Sequence, residues 1–420
     1  MAKESTILSI ALKVALVASL VCYAIYCYRW IPHVTHGFAA YYTYARALAG
    51  GIDFRQVYDY SKFNDLVHSF GMPNLVDMPN NLPTNALALL PFCWLPPVTA
   101  KIIWSVVSLG FFGASIGILF HIYGISLRSD IGIGIAALIF LWRPIYDNIA
   151  LGQLYFLLLF FFSLCMFGVR TQRKLLTALP VGLSMTLKGY GVVPLAWFAV
   201  TKRWRELFYA LLAIIIIVIG TLPFFGAETW RIYYHHVVST LGNLPTDAHT
   251  SFQTVNGLVH HLFSYDPAWL PNPLLQLSPA VVTLISYLLN LAVIAVVLEH
   301  SMFDGKSEWV MLSFAAVVAA GVVTAPLAEE YHFVLFLPLV IGLLNKLLKR
   351  IYLGERMAMI DWLFILALII MAKPIGYKSL NYASFPLILL AYPKLYAGLA
   401  ILGYFVLEQR KAVTFHPKYA

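Results

Sequence analysis

The chain has 420 residues, 61% of them hydrophobic and only 11% charged. A soluble domain carries about 25% charged residues and could not hide this much apolar surface from water, so the solvent that fits is lipid. The net charge of +9 does not point to nucleic acid, because the basic residues form short clusters between apolar runs and build no basic domain.

The first apolar run, Ile7 to Cys27, is too long for the apolar region of a signal peptide and lacks a small-residue cleavage site, so it predicts a retained span. A long stretch, 28–97, follows it. There, Phe38 to Leu48 is aromatic-rich and predicts an interfacial helix, while Met78-Pro79-Asn80-Asn81-Leu82-Pro83 predicts turns. Further apolar runs lie at 98–122, 131–143, 151–169, 175–187, 189–200 and 207–225. The run at 131–143 is short and predicts a helix kinked through Pro144. The pair 175–187 and 189–200 predicts short, broken or re-entrant helices. A second long stretch, 226–278, precedes runs at 279–298, 308–327, 333–347, 358–372 and 385–406. The expected fold class is an all-α polytopic membrane protein, about ten to twelve transmembrane helices in a single integral membrane domain over 1–420. Cys22, Cys27, Cys93 and Cys165 form no CxxC pair and read as small apolar packing residues.

Orientation follows from Lys and Arg. With Lys3 on the cytoplasmic side, one threading also places there Arg128, the cluster Arg170, Arg173 and Lys174, and the cluster Lys202, Arg203 and Arg205. Lys306, Lys346, Lys349, Arg350 and Arg356 join them, as do Arg410, Lys411 and Lys418 in the tail. Both termini are then cytoplasmic. Stretches 28–97 and 226–278 lie outside as two long extracytoplasmic loops, with the turns at Asp147, Lys188, Glu329 and Lys373 on the same side.

Polar chemistry collects on that outer face. Nine of the twelve histidines fall there, including His36 and His332, among carboxylates such as Asp53, Asp77 and Glu329. Imidazoles beside carboxylates suit proton transfer near neutral pH, although any solvated loop gathers polar residues. Lys188 interrupts an apolar stretch, Leu187-Lys188-Gly189-Tyr190. Such a cation is either a ligand-binding group, suited to a lipid phosphate, or a snorkelling lysine at a helix end. Glu329-Glu330-Tyr331-His332 lies between two spans and has three readings: orienting a sugar, holding a divalent ion, or capping the next helix. No spacing marks a metal site, and the need for a divalent ion stays open.

Several segments together resemble glycosyltransferase family 87, membrane enzymes of the C-type glycosyltransferase superfamily that include polyprenol-phosphate-mannose-dependent mannosyltransferases. Gly37 to Gly51 resembles the start of that family's first outer loop, and Pro83 to Leu95 with Ala100 to Trp104 resembles its loop end and following span. Arg143-Pro144 and Leu151-Gly152-Gln153 are similar to its "RP…GQ" segment. Leu187-Lys188-Gly189-Tyr190, followed by Pro194 and the basic turn Lys202-Arg203-Trp204-Arg205, is similar to its lysine-containing span. Gln253 to Leu258 is a looser match, and Tyr331-His332 matches a "W-D-H" position in the histidine alone. One departure stands out: Gly37 occupies the position where the family usually carries an aspartate, the expected general base.

The resemblance implies a C-type bundle whose outer cavity binds a polyprenyl-phosphate-linked hexose donor, with mannose as the expected sugar. Transfer to a lipid, glycan or protein acceptor would invert the anomeric carbon in one step, without a nucleotide sugar. Lys188, Tyr190, Gln153 and Arg143 would bind donor and phosphate, and Glu329, Glu330 and Asn256 would bind acceptor or sugar. His36, Asp77 and Asp53 compete for the role of base, and His332 assists near the phosphate or acceptor. The expected location is the plasma (inner) membrane, with membrane lipids as neighbours, no nucleic acid and an extracytoplasmic active site. Two other classes fit the same residues: a transporter or flippase of a lipid-linked sugar, and a non-catalytic lipid-binding homologue that has lost the base.

Overall fold

The computed structural model describes residues 2–76, 80–244, 249–302, 308–377 and 384–415. These residues are helical throughout apart from turns and two isolated β-bridges, Asp266 with Leu270 and Asn272 with Ser384. After α1 (Ala2–Trp30), the first long loop folds into α2 (His36–Ala49), α3 (Tyr60–Ser69) and the short α4 (Ala86–Leu89). Then come α5 (Pro97–Tyr123), α6 (Asp130–Phe140), α7 (Arg143–Leu151), α8 (Tyr155–Thr171), α9 (Lys174–Lys188), α10 (Val192–Val200) and α11 (Trp204–Phe225). The second long loop contains α12 (Ala227–Ile232) and α13 (Val255–Phe263). The chain closes with α14 (Pro279–Glu299), α15 (Glu308–Val323), α16 (Leu337–Tyr352), α17 (Met359–Ala372) and α18 (Pro393–Phe415).

Among the described residues, α1, α5, α11, α14 and the continuous segment Glu330–Tyr352 are each long and apolar enough to cross a bilayer. The pair α6 and α7 passes that test jointly but is bent by 46°. This is the kink expected at Pro144, because proline at the second residue of α7 cannot donate into the preceding turn. The helices α8, α15 and α17 are apolar but shorter. Among the described residues, five helices, or six with the bent pair, thus meet the length of a full crossing, against the ten to twelve expected; the other apolar runs form shorter helices.

Burial separates two kinds of apolar helix. The most apolar windows of α11 and α14 are only 17% buried, and they present side chains such as Ile216 and Leu291 outward. In water this surface would be a severe liability; in lipid it needs no cover. By contrast α15, rich in Ala and Val, is buried from Val310 through Ala320 and runs through the centre of the bundle. Its small side chains let α10, α14, α16 and α18 approach closely, which is how helices gain packing energy in a lipid solvent.

The first loop differs from the expected interfacial helix. Phe38, Tyr41, Tyr42 and Tyr44 leave α2 on several faces, and every one is buried, against α3, α4, α5 and α7. Aromatic side chains around a helix need protein on all sides, and each fully buried ring contributes about 1.5–3 kcal/mol. The loop thus forms its own packed layer, joined to the bundle through Phe225, Leu154 and Trp104.

Candidate active site

Lys188 owes its position to the end of α9. Gly189, at φ +72°, takes the left-handed conformation that terminates the helix, and α10 begins three residues later. A cation at a helix C-terminus is favoured by the helix dipole. Here the ammonium also donates to Asn81 Oδ1 at 2.7 Å and lies 4.9 Å from the centre of the Tyr41 ring and 5.9 Å from that of Tyr155.

A second corner is built where α7 ends. The buried Lys101 Nζ donates to the Ile149 carbonyl at 2.5 Å, and Trp104 Nε1 donates to the Gly152 carbonyl at 3.0 Å. The Gln153 amide N–H closes the turn onto Asn148 O at 3.0 Å. This clamp fixes the Gln153 side chain, whose Oε1 accepts from Tyr41 Oη at 2.6 Å. Burial pushes the Tyr41 hydroxyl well above its ordinary range, so it remains a neutral donor.

The third corner is the 3-10 helix Glu330–Phe336. It holds His332 with its ring centre 4.2 Å from Tyr155, 4.5 Å from Tyr331 and 5.9 Å from Tyr190. His332 Nδ1 is buried without a hydrogen-bond partner among the described residues. One residue before this helix, Glu329 Oε1 accepts from Tyr331 Oη at 3.1 Å.

These corners enclose a cavity of about 280 Å³. Six residues singled out in the sequence line it: His36, Gln153, Lys188, Tyr190, Glu329 and His332. His36 is exposed at the start of α2, whereas Gln153 and His332 are buried. Leu82, Leu241, Phe252, Pro326 and Leu327 add an apolar wall.

Four other expected site residues stand elsewhere. Arg143 pairs with Asp147 along α7, Nη2 to Oδ1 at 2.7 Å, and its guanidinium lies over Tyr26. Glu330 turns away from Glu329 to face the buried Lys394, 2.7 Å from Nζ, and accepts from Tyr377 Oη at 3.1 Å. Asn256 donates to Gly242 O at 2.7 Å and accepts from Ser286 Oγ at 2.6 Å, joining the second loop to α14. Asp53 is held by Arg55 through contacts of 2.6–2.9 Å, and that hydrogen-bonded guanidinium keeps its carboxyl below the usual range. Asp77 lies outside the described residues.

Sequence reasoning gave no site role to Tyr41, Tyr155, Tyr331 or Asn81, which also line the cavity. It also passed over Lys101, although a charge inside the apolar run 98–122 is the same signal that drew attention to Lys188.

The profile of glycosyltransferase family 87 matches residues 82–307, more than half of the chain. The chain belongs to glycosyltransferase family 87. No curated protein and no solved structure matches it. As a family 87 member it is a membrane glycosyltransferase, and the matched stretch contributes Gln153, Tyr155, Lys188 and Tyr190 to the cavity. Gly37, Ala40 and Tyr41 of the first loop, and Tyr331 and His332, fall outside that stretch but line the same cavity.

Proposed function

We propose that this family 87 glycosyltransferase moves a hexose, with mannose as the expected sugar, from a polyprenyl-phosphate donor to a lipid, glycan or protein acceptor. Transfer takes place on the extracytoplasmic face, and both termini are cytoplasmic. The observation that carries this reading is Lys188, the only Lys or Arg lining the cavity among the described residues, set among tyrosine rings. A compact ammonium is a point charge suited to one phosphate. Flat aromatic walls suit the face of a sugar ring, and the apolar wall of Leu241, Phe252 and Leu327 suits the first prenyl units.

In this reading Lys188 neutralises the phosphate, and His332 stands beside it as a further donor through its unpartnered ring nitrogen. Gln153, fixed by Tyr41, presents its amide to a sugar hydroxyl or the head group. The exposed His36 marks the mouth through which the acceptor enters. Transfer is a single displacement with inversion, in which the acceptor oxygen attacks the anomeric carbon as polyprenyl phosphate leaves.

The test is a titration of purified protein with polyprenyl phosphate. Losing a charged hydrogen bond costs about 1.5–3 kcal/mol, so Lys188→Gln should weaken binding by about ten- to a hundredfold. Affinity unchanged in Lys188→Gln removes the phosphate from this cavity.

A further inference from the structure

We propose that Glu329 is the general base that takes the proton from the acceptor hydroxyl; this rests on the glycosyl-transfer reading above. Among the described residues, Glu329 is the only carboxylate that lines the cavity. Its backbone occupies the N-cap position of the 3-10 helix Glu330–Phe336, and His332 N–H donates to its carbonyl at 3.0 Å. Its side chain makes no capping hydrogen bond to that helix. It is directed instead to Tyr331 Oη, a second cavity-lining group, at 3.1 Å. The neighbouring Glu330 takes the structural duty, paired with Lys394 inside the bundle. Two adjacent carboxylates are thus divided between architecture and cavity.

Among the described residues, the first-loop side of the cavity offers no carboxylate. At Gly37 the space a side chain would enter is filled by the Gln153 amide and the Leu151 carbonyl. Asp53 is engaged by Arg55 and does not line the cavity. Glu329 and Lys188 line the same cavity. A donor phosphate on the lysine and an acceptor hydroxyl on the carboxylate would therefore face each other within one small cavity. The acceptor O–H bond breaks as its oxygen bonds to the anomeric carbon, and the proton passes to a Glu329 oxygen. The bond from that carbon to the phosphate oxygen breaks, and its electron pair leaves with polyprenyl phosphate beside Lys188.

The experiment uses purified full-length protein with radiolabelled polyprenyl-phosphate mannose and polyprenyl-phosphate glucose, with a total membrane lipid extract as acceptor. A positioned base contributes about 10²–10⁴-fold. Glu329→Gln should therefore slow release of polyprenyl phosphate by at least about a hundredfold, with Glu329→Asp in between. Both variants should bind polyprenyl phosphate within about threefold of wild type, which also establishes that they are folded. Wild-type turnover matched by Glu329→Gln within about fivefold overturns the assignment and leaves the glycosyl-transfer reading standing. Loss of polyprenyl phosphate binding in Glu329→Gln overturns it too, since the carboxylate would then act by positioning Lys188. A wild-type protein that binds polyprenyl phosphate but turns over neither donor overturns the transfer reading and the base together.

Discussion

A Cβ built on Gly37 would stand 2.6 Å from Gln153 Nε2 and 2.7 Å from Leu151 O, closer than real side chains approach. The Leu151 oxygen belongs to the turn clamped by Lys101 and Trp104, so it has little freedom to retreat. Gly37→Ala should therefore cost about 1–3 kcal/mol by overpacking, read as a lowered Tm in detergent. Gly37→Asp should be at least as destabilised and should gain no activity; a faster Gly37→Asp enzyme would contradict this account of the wall. Asp53 is the opposite case, a carboxylate that sequence position recommends and exposure devalues. Its pair with Arg55 is 40% exposed on the aspartate side, where water screens such contacts and they contribute little. Because the folded carboxyl titrates below its ordinary range, any stabilisation is present at neutral pH and lost as pH falls through that lowered value. Asp53→Asn should leave the transfer rate within about twofold, and its small effect on Tm should vanish in acid.

Helix ends organise the site, and they are where sequence reading succeeded and failed. The break at Gly189 and the bend before α7 were both legible, since glycine and proline leave a local signature. The buried state of α2 was not, because an aromatic-rich helix looks the same whether lipid or protein covers it; partners distant in the chain decide. For the same reason Arg143, Glu330 and Asn256 resembled site residues, although their partners Asp147, Lys394 and Ser286 give them structural work. Lys394 shows this most clearly. Its ammonium, fully buried, donates to the carbonyls of Ile370, Met371 and Lys373 at the end of α17 while facing Glu330. Removing one partner of a buried ion pair costs about 3–5 kcal/mol. Lys394→Met should lower Tm accordingly, and adding Glu330→Gln should recover part of the loss in a double-mutant cycle. Additive effects would show that the two groups do not sense each other.

Across the whole molecule, the cavity lies where four separated parts of the chain converge: the first long loop, the corner after α7, the end of α9 and the start of the Glu330–Tyr352 segment. That α11, α14 and α15 are apolar was legible in composition, but which faces outward and which is buried was decided by their partners. The convergence itself was expected from the charge pattern, whose threading groups these corners, and from the family 87 resemblance. The most direct measurement reconstitutes the purified protein into proteoliposomes with radiolabelled polyprenyl-phosphate mannose and a lipid extract as acceptor, then separates polyprenyl phosphate, intact donor and glycosylated product. The account predicts stoichiometric release of polyprenyl phosphate with transfer of the label to acceptor. Label that crosses the bilayer on intact donor, or that reaches acceptor only when a nucleotide sugar is supplied, would contradict it.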